Sequence, residues 1–566
     1  MIAKLKSYWL EILVLVCSLA YFIALAAPDM TWVNVDSDGS AYINAAKHWA
    51  ITHPTGAPLY NMLNWLMVRI PIGTEYFRLC LVSAVAAGVT SLFLYLLAKR
   101  YTPNRLKALI APLVFCASGV VVSQATILDT YALITMMSVL AFWFHVKGMH
   151  RAKYLTIGLG IGIHHLILIP LGVLWIADVV ARRKAGLKIV RPAMFLWLFG
   201  FLFYAYIPLA NHAPYNWIQG ESFTSYMNYF FSQGGLIGGL SVNTGDLLMR
   251  LQDFIVISGV SFGISGLLIL PACVAAFKRK DLEGVILFFL FMFPIAYYVT
   301  DMAPQVYTYM MPAFAFGGLL AVKGSQYFEL KRMQVAVPAL VAVTSVFLIG
   351  FNIQTYDIGR NLDRDMVMVQ YYESLDELPD GAYIWTENGG WWRGTVWLYN
   401  ADKERDLTIL PVFGYEGEEN IRQAREAFES GNLWIQEYED TVDRSWESIT
   451  RLAVEADFDR IEHTAQVIYE WDASKISTGW VNPVDLITGR AEPMRWGAAT
   501  RSDHTAAFVL VAFAWCASSQ SVADFLFKKR AGESKKKLHA YRWITFIGML
   551  ALLMVIFSLM GMEAAI

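Results

Sequence analysis

Tyr154–Val180 is one apolar run with basic residues at both ends. Lys147, His150, Arg151 and Lys153 precede it, and Arg182, Arg183, Lys184, Lys188 and Arg191 follow it. Lys and Arg gather in cytoplasmic loops, so both ends should face one compartment, which a single membrane crossing cannot achieve. Glycines at 158, 160 and 162, the pair His164-His165 and Pro170 interrupt the run. They predict two short helices that meet inside the membrane, with the histidine pair at the break; the alternative is one tilted helix with an atypical charge distribution. Backbone freed at such a break is tolerated only against protein or a water-filled cavity. The pair is therefore expected near the mouth of a cavity.

The remaining apolar runs fit crossings of about 20 residues each. They are Tyr8–Ala27, Arg78–Leu97, the short pair Val114–Val122 and Tyr131–Phe144, then Ala193–Ala210, Phe254–Phe277, Val285–Val299, Val306–Val322, Val335–Phe351, Phe508–Phe527 and Trp543–Met560. Only 16% of the 566 residues are charged, against about 25% in a soluble protein. With the broken run counted as two, the basic loops share one side and the total comes to about 13 membrane segments. Tyr8–Ala27 is read as an uncleaved anchor with the N-terminus in the cytoplasm. Loops 28–76, 123–130, 211–253 and 301–305 and the segment 353–504 are expected on the opposite face. The plasma membrane of a prokaryote is expected rather than the endoplasmic reticulum. The bilayer is an expected partner; nucleic acid is not, because no basic stripe interleaved with aromatic residues occurs. All five cysteines lie in apolar runs, so no disulfide framework or zinc site is expected.

Of the 47 acidic residues, 30 fall between Tyr356 and Asp503, which marks that segment as water-facing. Gly381–Thr386, Leu407–Val412 and Leu433–Gln436 read as strands, Trp391–Asn400 as a helix or loop, and Glu416–Glu429 as a helix. Strands alternating with helical patterns predict a small α/β layer. The chain divides into a transmembrane module at 1–352, a non-cytoplasmic α/β domain at 353–504 and two transmembrane helices at 505–566. The fold class is a polytopic α-helical membrane protein carrying that domain.

Reactive groups concentrate in Val35–Tyr60, VDSDGSAYINAAKHWAITHPTGAPLY. Asp38 precedes an apolar-periodic stretch and could be a helix N-cap. It could equally be a general base that takes a proton from an attacking hydroxyl, as inverting sugar transfer requires, and Asp36 could serve in the same way. His53 and Tyr60 flank a Pro/Gly turn with hydrogen-bonding ends. With His164 and His165 they are candidates to engage a phosphate leaving group, since a neutral imidazole still donates one hydrogen bond. Asp129 is a candidate to bind a metal or to orient the acceptor, and its alternative is another N-cap. Trp391, Trp392 and Arg393 offer aromatic faces and a cation to an acceptor. A divalent metal is left open, and no cofactor is otherwise expected. A transporter is the reading from another class, since broken helices also build transporters. A catalytically inactive scaffold is a third.

HPTGAPLY at 53–60, SQATILDTYAL at 123–133, GLGIGIHHLILIP at 158–170 and YIPLANHAPYNW at 206–217 occur in that order, followed by YTYMMPAF at 307–314. Together they resemble the successive motifs of the domain-of-unknown-function 2723 family. That family belongs to the GT-C class of polytopic glycosyltransferases and includes the protein O-mannosyltransferase called transmembrane protein 260. The resemblance implies a GT-C-like fold and a sugar, such as mannose, carried on a polyprenyl or dolichyl phosphate. It also implies a hydroxyl acceptor, on protein (Ser/Thr) or glycolipid, and transfer on the non-cytoplasmic face. Asn216 and Trp217 of the fourth motif and Tyr309 of the last join the candidates for binding the donor phosphate or substrate. Near the first acid the family pattern reads approximately Asp-Ser-Gly-Glu-Phe. Here it is Asp38-Gly39-Ser40-Ala41-Tyr42, so Ala41 stands where that glutamate would be.

Overall fold

The computed structural model describes residues 8–31, 38–213 except 55, most of 254–411, short stretches within 217–226 and 422–437, and 466–470. The expected C-terminal pair of membrane helices and most of Glu416–Glu429 lie outside the described residues, as do Asp36 and Asn216.

The chain is mostly helical, with several apolar helices. The first are α1 (Trp9–Leu25), α2 (Gly39–His48), α3 (Pro58–Met67) and α4 (Glu75–Tyr101). Next come α5 (Ile110–Ala117), α6 (Gly119–Ala125), α7 (Tyr131–Val146), α8 (His150–Ile161) and α9 (Leu168–Lys184). A helical run at Pro192–Ala205 continues into α10 (Tyr206–Ala210). Then follow α11 (Gly266–Lys278), α12 (Leu282–Thr300), α13 (Met311–Ser325) and α14 (Lys331–Tyr356).

Four of the described helices are long and apolar enough to cross a membrane: 75–101, 165–184, 192–210 and 282–299. The pair 107–117 and 119–125 is bent by 65° and would add a broken fifth. Trp9–Leu25, Tyr131–Val146, Gly266–Lys278 and Pro338–Gln354 are apolar but shorter. By length and composition the described residues hold four helices able to cross, or five with the bent pair, and several of the expected runs form helices under 18 residues.

The long α4 is the central post, with α1 and α7 packed against it. The Thr74 hydroxyl caps it by accepting from the Phe77 nitrogen at 3.1 Å. Glu75 in its first turn and Lys99 and Arg100 in its last complement the helix dipole.

The broken run folds back on itself. α8 and α9 are separated by Gly162–His164, and their far ends meet: Lys153 Nζ lies 2.7 Å from Asp178 Oδ2, with both side chains buried. His145 Nδ1 at 3.4 Å, His150 Nδ1 at 3.3 Å and the Tyr154 hydroxyl at 3.0 Å complete the ring around the Asp178 carboxylate. The glycines have a packing role. A Cβ on Gly200 would lie 2.1 Å from the Gly158 carbonyl oxygen, so two backbones touch where a side chain on either would part them.

Beyond α14, α15 (Val367–Ser374) leads to a four-stranded parallel sheet of order β2-β1-β3-β4. Its strands are β1 (Tyr383–Thr386), β2 (Thr408–Pro411), β3 (Leu433–Glu437) and β4 (Gln466–Glu470). Three coincide with the expected strands, and β4 was not expected. Parallel neighbours need a crossover; between β1 and β2 it is α16 (Gly389–Lys403), over the expected Trp391–Asn400. Ile384 sits between Ile409 and Trp434 in the register. Ile384, Val396, Tyr399 and Leu407 share a core with Tyr371 and Leu375.

Candidate functional site

Asp38 stands at the N-cap position of α2, but its side chain makes no capping bond. That removes the structural reason for an aspartate there and leaves the carboxylate turned to other partners. His53 Nδ1 lies 3.5 Å from Asp38 Oδ1, and both side chains are about a third exposed. The HPTGAPLY turn that presents His53 is fixed by Gly56 and Ala57, both at positive φ, 83° and 35°. The Asn61 amide donates to the Gly56 carbonyl at 2.9 Å. This turn meets the broken run directly, because the Leu59 nitrogen donates to the Gly162 carbonyl at 2.7 Å. A Cβ on Gly162 would lie 2.9 Å from Leu59 Cβ, so only glycine lets the two motifs close.

Asp129 lies in the link between α6 and α7 and is 5% exposed. Its carbonyl accepts from the Tyr60 hydroxyl at 3.0 Å and from the Ser83 hydroxyl at 2.9 Å. Its carboxylate accepts from the Thr130 nitrogen and, at 3.2 Å, from the Thr130 hydroxyl. Burial first, and then the charge of Asp38, push the Asp129 pKa well above the usual carboxylate range. The N-cap of α7 is Thr130, so capping is not what Asp129 does. Tyr60 is wholly buried with its hydroxyl spent on Asp129, which makes it a support for that loop.

His164 stacks on His165 with ring centroids 4.1 Å apart. Its Nδ1 accepts from the Leu166 nitrogen at 3.2 Å, which assigns the proton of the neutral ring to Nε2. Tyr131 at 5.3 Å and Tyr309 at 5.8 Å flank His164, and Tyr309 stands 6.2 Å from His165 and 5.2 Å from Tyr297.

The Trp217 ring lies 6.3 Å from His53 and 5.8 Å from Trp397 of α16. The Arg393 guanidinium lies 5.6 Å from the Trp217 ring centre and 5.5 Å from that of Trp397. Trp391 and Trp392 fall on α16, with side chains outside the described residues.

The structure thus gathers Asp38, His53, Asp129, His164, His165, Tyr309, Trp217 and Arg393 around one region. Sequence reasoning missed Tyr42, Tyr131, Tyr297 and Trp397. Tyr42, 4.9 Å from Tyr60 and 5.8 Å from His53 by ring centroid, follows Asp38 by one helical turn, and Tyr131 follows Asp129 by two residues. Those two spacings were readable signals. Among the described residues, no three His, Cys, Asp or Glu side chains gather closely enough to hold a metal ion.

Residues 38–185, which carry most of these groups, match the family model described as the N-terminal domain of the protein O-mannosyl-transferase TMEM260. The chain is related to the TMEM260 proteins, as its ordered motifs implied. The "Protein O-mannosyl-transferase tmem260" of Dictyostelium discoideum is 22% identical to it over 305 residues. That match spans 46% of this chain and 37% of the length of the relative.

Two solved structures are similar at low identity. ArnT from Cupriavidus metallidurans bound to undecaprenyl phosphate shows a TM-score of 0.46 at 10% identity, over 82% of this chain and 90% of that one. The Archaeoglobus fulgidus oligosaccharyltransferase in its apo form shows 0.43 at 14% identity, over 71% and 64%.

Proposed function

We propose that this chain is a GT-C-type membrane glycosyltransferase that moves a sugar from a polyprenyl-phosphate or dolichyl-phosphate donor to a hydroxyl acceptor on the non-cytoplasmic face. The names of its relatives favour mannose as the sugar and protein Ser or Thr as the acceptor. One observation carries the reading. Motifs scattered from residue 38 to residue 165 converge, so that an uncapped carboxylate, a second buried carboxyl group and three imidazoles share one site.

In this reading the Asp38 carboxylate takes the proton of the acceptor hydroxyl. The oxygen attacks the anomeric carbon from the face opposite the lipid phosphate. The bond between that carbon and the phosphate oxygen breaks, and the electron pair leaves with the phosphate. The Nε2–H of neutral His164 donates to the departing phosphate, with His165 and Tyr309 beside it. Asp129, which keeps its proton further up the pH scale than an ordinary aspartate, donates a hydrogen bond that orients the acceptor. Arg393, Trp217 and Trp397 line the side where the acceptor enters, with Trp391 and Trp392 on the same helix. No step is routed through a metal.

The test uses purified full-length protein with polyprenyl-phosphate mannose carrying a radiolabel and a Ser/Thr-rich peptide. Label is expected on the peptide. Donor that is bound but neither transferred nor hydrolysed would refute the transferase reading.

A further inference from the structure

The helix that carries Asp38 is held by a part of the chain far away in sequence, and one side chain does most of the holding. Asp402, in the last turn of α16, takes the His48 Nε2 at 2.7 Å on Oδ1 and the Lys47 Nζ at 2.7 Å on Oδ2. The Tyr372 hydroxyl donates to the same Oδ2 at 2.9 Å. Lys47 is also 2.9 Å from Glu75 at the start of α4. Burial disfavours the charges of both Asp402 and Lys47, yet their partners outweigh it: His48, then Lys47, lower the pKa of Asp402, and Asp402, then Glu75, raise that of Lys47.

The other end of the contact is as specific. A Cβ added to Gly394 would lie 2.6 Å from the Ser40 hydroxyl, 3.1 Å from the Ala41 nitrogen and 3.5 Å from Ser40 Cβ. Gly394 therefore meets residue 40 while Asp402 meets residues 47 and 48. The two helices run parallel and in step over roughly 12 Å, at 1.5 Å of rise per residue. Asp38 sits two residues before the first contact. Arg393 adjoins Gly394 and faces Trp217.

We infer that Asp402 is a positioning residue for the transfer reaction: by clasping the C-terminal end of α2 to α16 it sets where Asp38 stands relative to Asp129 and His53. The inference rests on the function proposed above. A shift of about 1 Å in a reacting group can cost on the order of 100-fold in rate. Asp402→Ala is therefore expected to lower kcat about 10- to 100-fold while leaving the donor KM unchanged, because the donor-binding imidazoles lie on other elements.

A merely structural role is separated by a cross-link. The Cβ separation of 3.5 Å between positions 40 and 394 fits a disulfide, whose Cβ atoms stand about 3.5–4.5 Å apart. In full-length Ser40→Cys/Gly394→Cys/Asp402→Ala the disulfide should form more slowly than with Asp402 present. Once formed, it should restore kcat relative to the same protein after reduction.

Wild-type kcat in Asp402→Ala would overturn the inference. So would a cross-linked triple variant no faster than its reduced form, or failure of the disulfide to form with Asp402 present. A wild type that transfers no sugar would instead remove the function reading. The rate of cross-linking, which needs no activity, would then still report whether Asp402 clasps the two helices.

Discussion

Asp38→Asn separates chemistry from architecture at the centre of the proposed site. Asparagine ranks with aspartate as an N-cap residue, and the Asp38 side chain makes no capping bond to lose. The substitution keeps shape and hydrogen-bonding capacity and removes only the basicity and the charge. Loss of a general base costs about 100- to 10,000-fold in rate, equivalent to about 2.7–5.4 kcal/mol of transition-state stabilisation. The stability change should be much smaller than the approximately 1 kcal/mol of a lost cap. The assay is label transfer from polyprenyl-phosphate mannose under single-turnover conditions, with donor binding and thermal unfolding measured on the same preparation. An inactive, donor-binding variant is expected, with a melting temperature unchanged near pH 4. A rate above about a tenth of wild type would refute the assignment and pass the role to Asp36. A second signature follows from the coupling of the two acids. Because the Asp38 charge raises the pKa of Asp129, Asp38→Asn should also weaken the pH dependence of stability that Asp129 imposes.

That dependence has a definite sign. The folded-state pKa of Asp129 is raised, so the folded protein binds the extra proton and stability falls as pH climbs above the unfolded value of about 3.9. Asp129→Asn is expected to raise the melting temperature at pH 7 and leave it unchanged near pH 4; a fall at both would count against the buried-acid account. At the far end of the broken run, Asp178→Asn strands the fully buried Lys153 and should destabilise by about 3–5 kcal/mol. Replacing both with apolar residues should recover most of that loss in detergent melts, whereas two additive losses would show that the pair is not coupled.

Much of this architecture was readable locally. The charges flanking Tyr154–Val180 demanded a return, and Lys153 meeting Asp178 is that return. HPTGAPLY and the histidine pair were readable because glycine, proline and paired imidazoles leave few bland explanations. Strands β1 to β3 followed from short apolar runs between turns. What stayed hidden depends on distant contacts. Nothing around Asp402 marks it, since Lys47 and His48 lie some 350 positions away and Tyr372 lies 30 away. The ring contacts of Tyr309 with Tyr131 and Tyr297 join α7, α12 and the 3-10 turn Val306–Met310, and no periodicity predicts them. The bend between α5 and α6 fell inside a run that reads as one apolar segment. The small register of β4 against β3, with its irregularity near Glu437, leaves a pattern too short to separate from a loop.

The bonds from Lys47 and His48 to Asp402 span 355 and 354 residues. A ribosome adds about 5–20 residues per second, so α2 waits on the order of 20 to 70 seconds before its splint exists. During that interval the first helices, the turn at 53–60 and the histidine pair are already synthesised and inserted, with the base-bearing helix unsecured. On the proposed reading, a nascent chain would meet lipid-linked donor before its base is held in place. Transfer at full rate would await the translation and seating of α16, so the catalytic geometry is completed long after the base-bearing helix has been made.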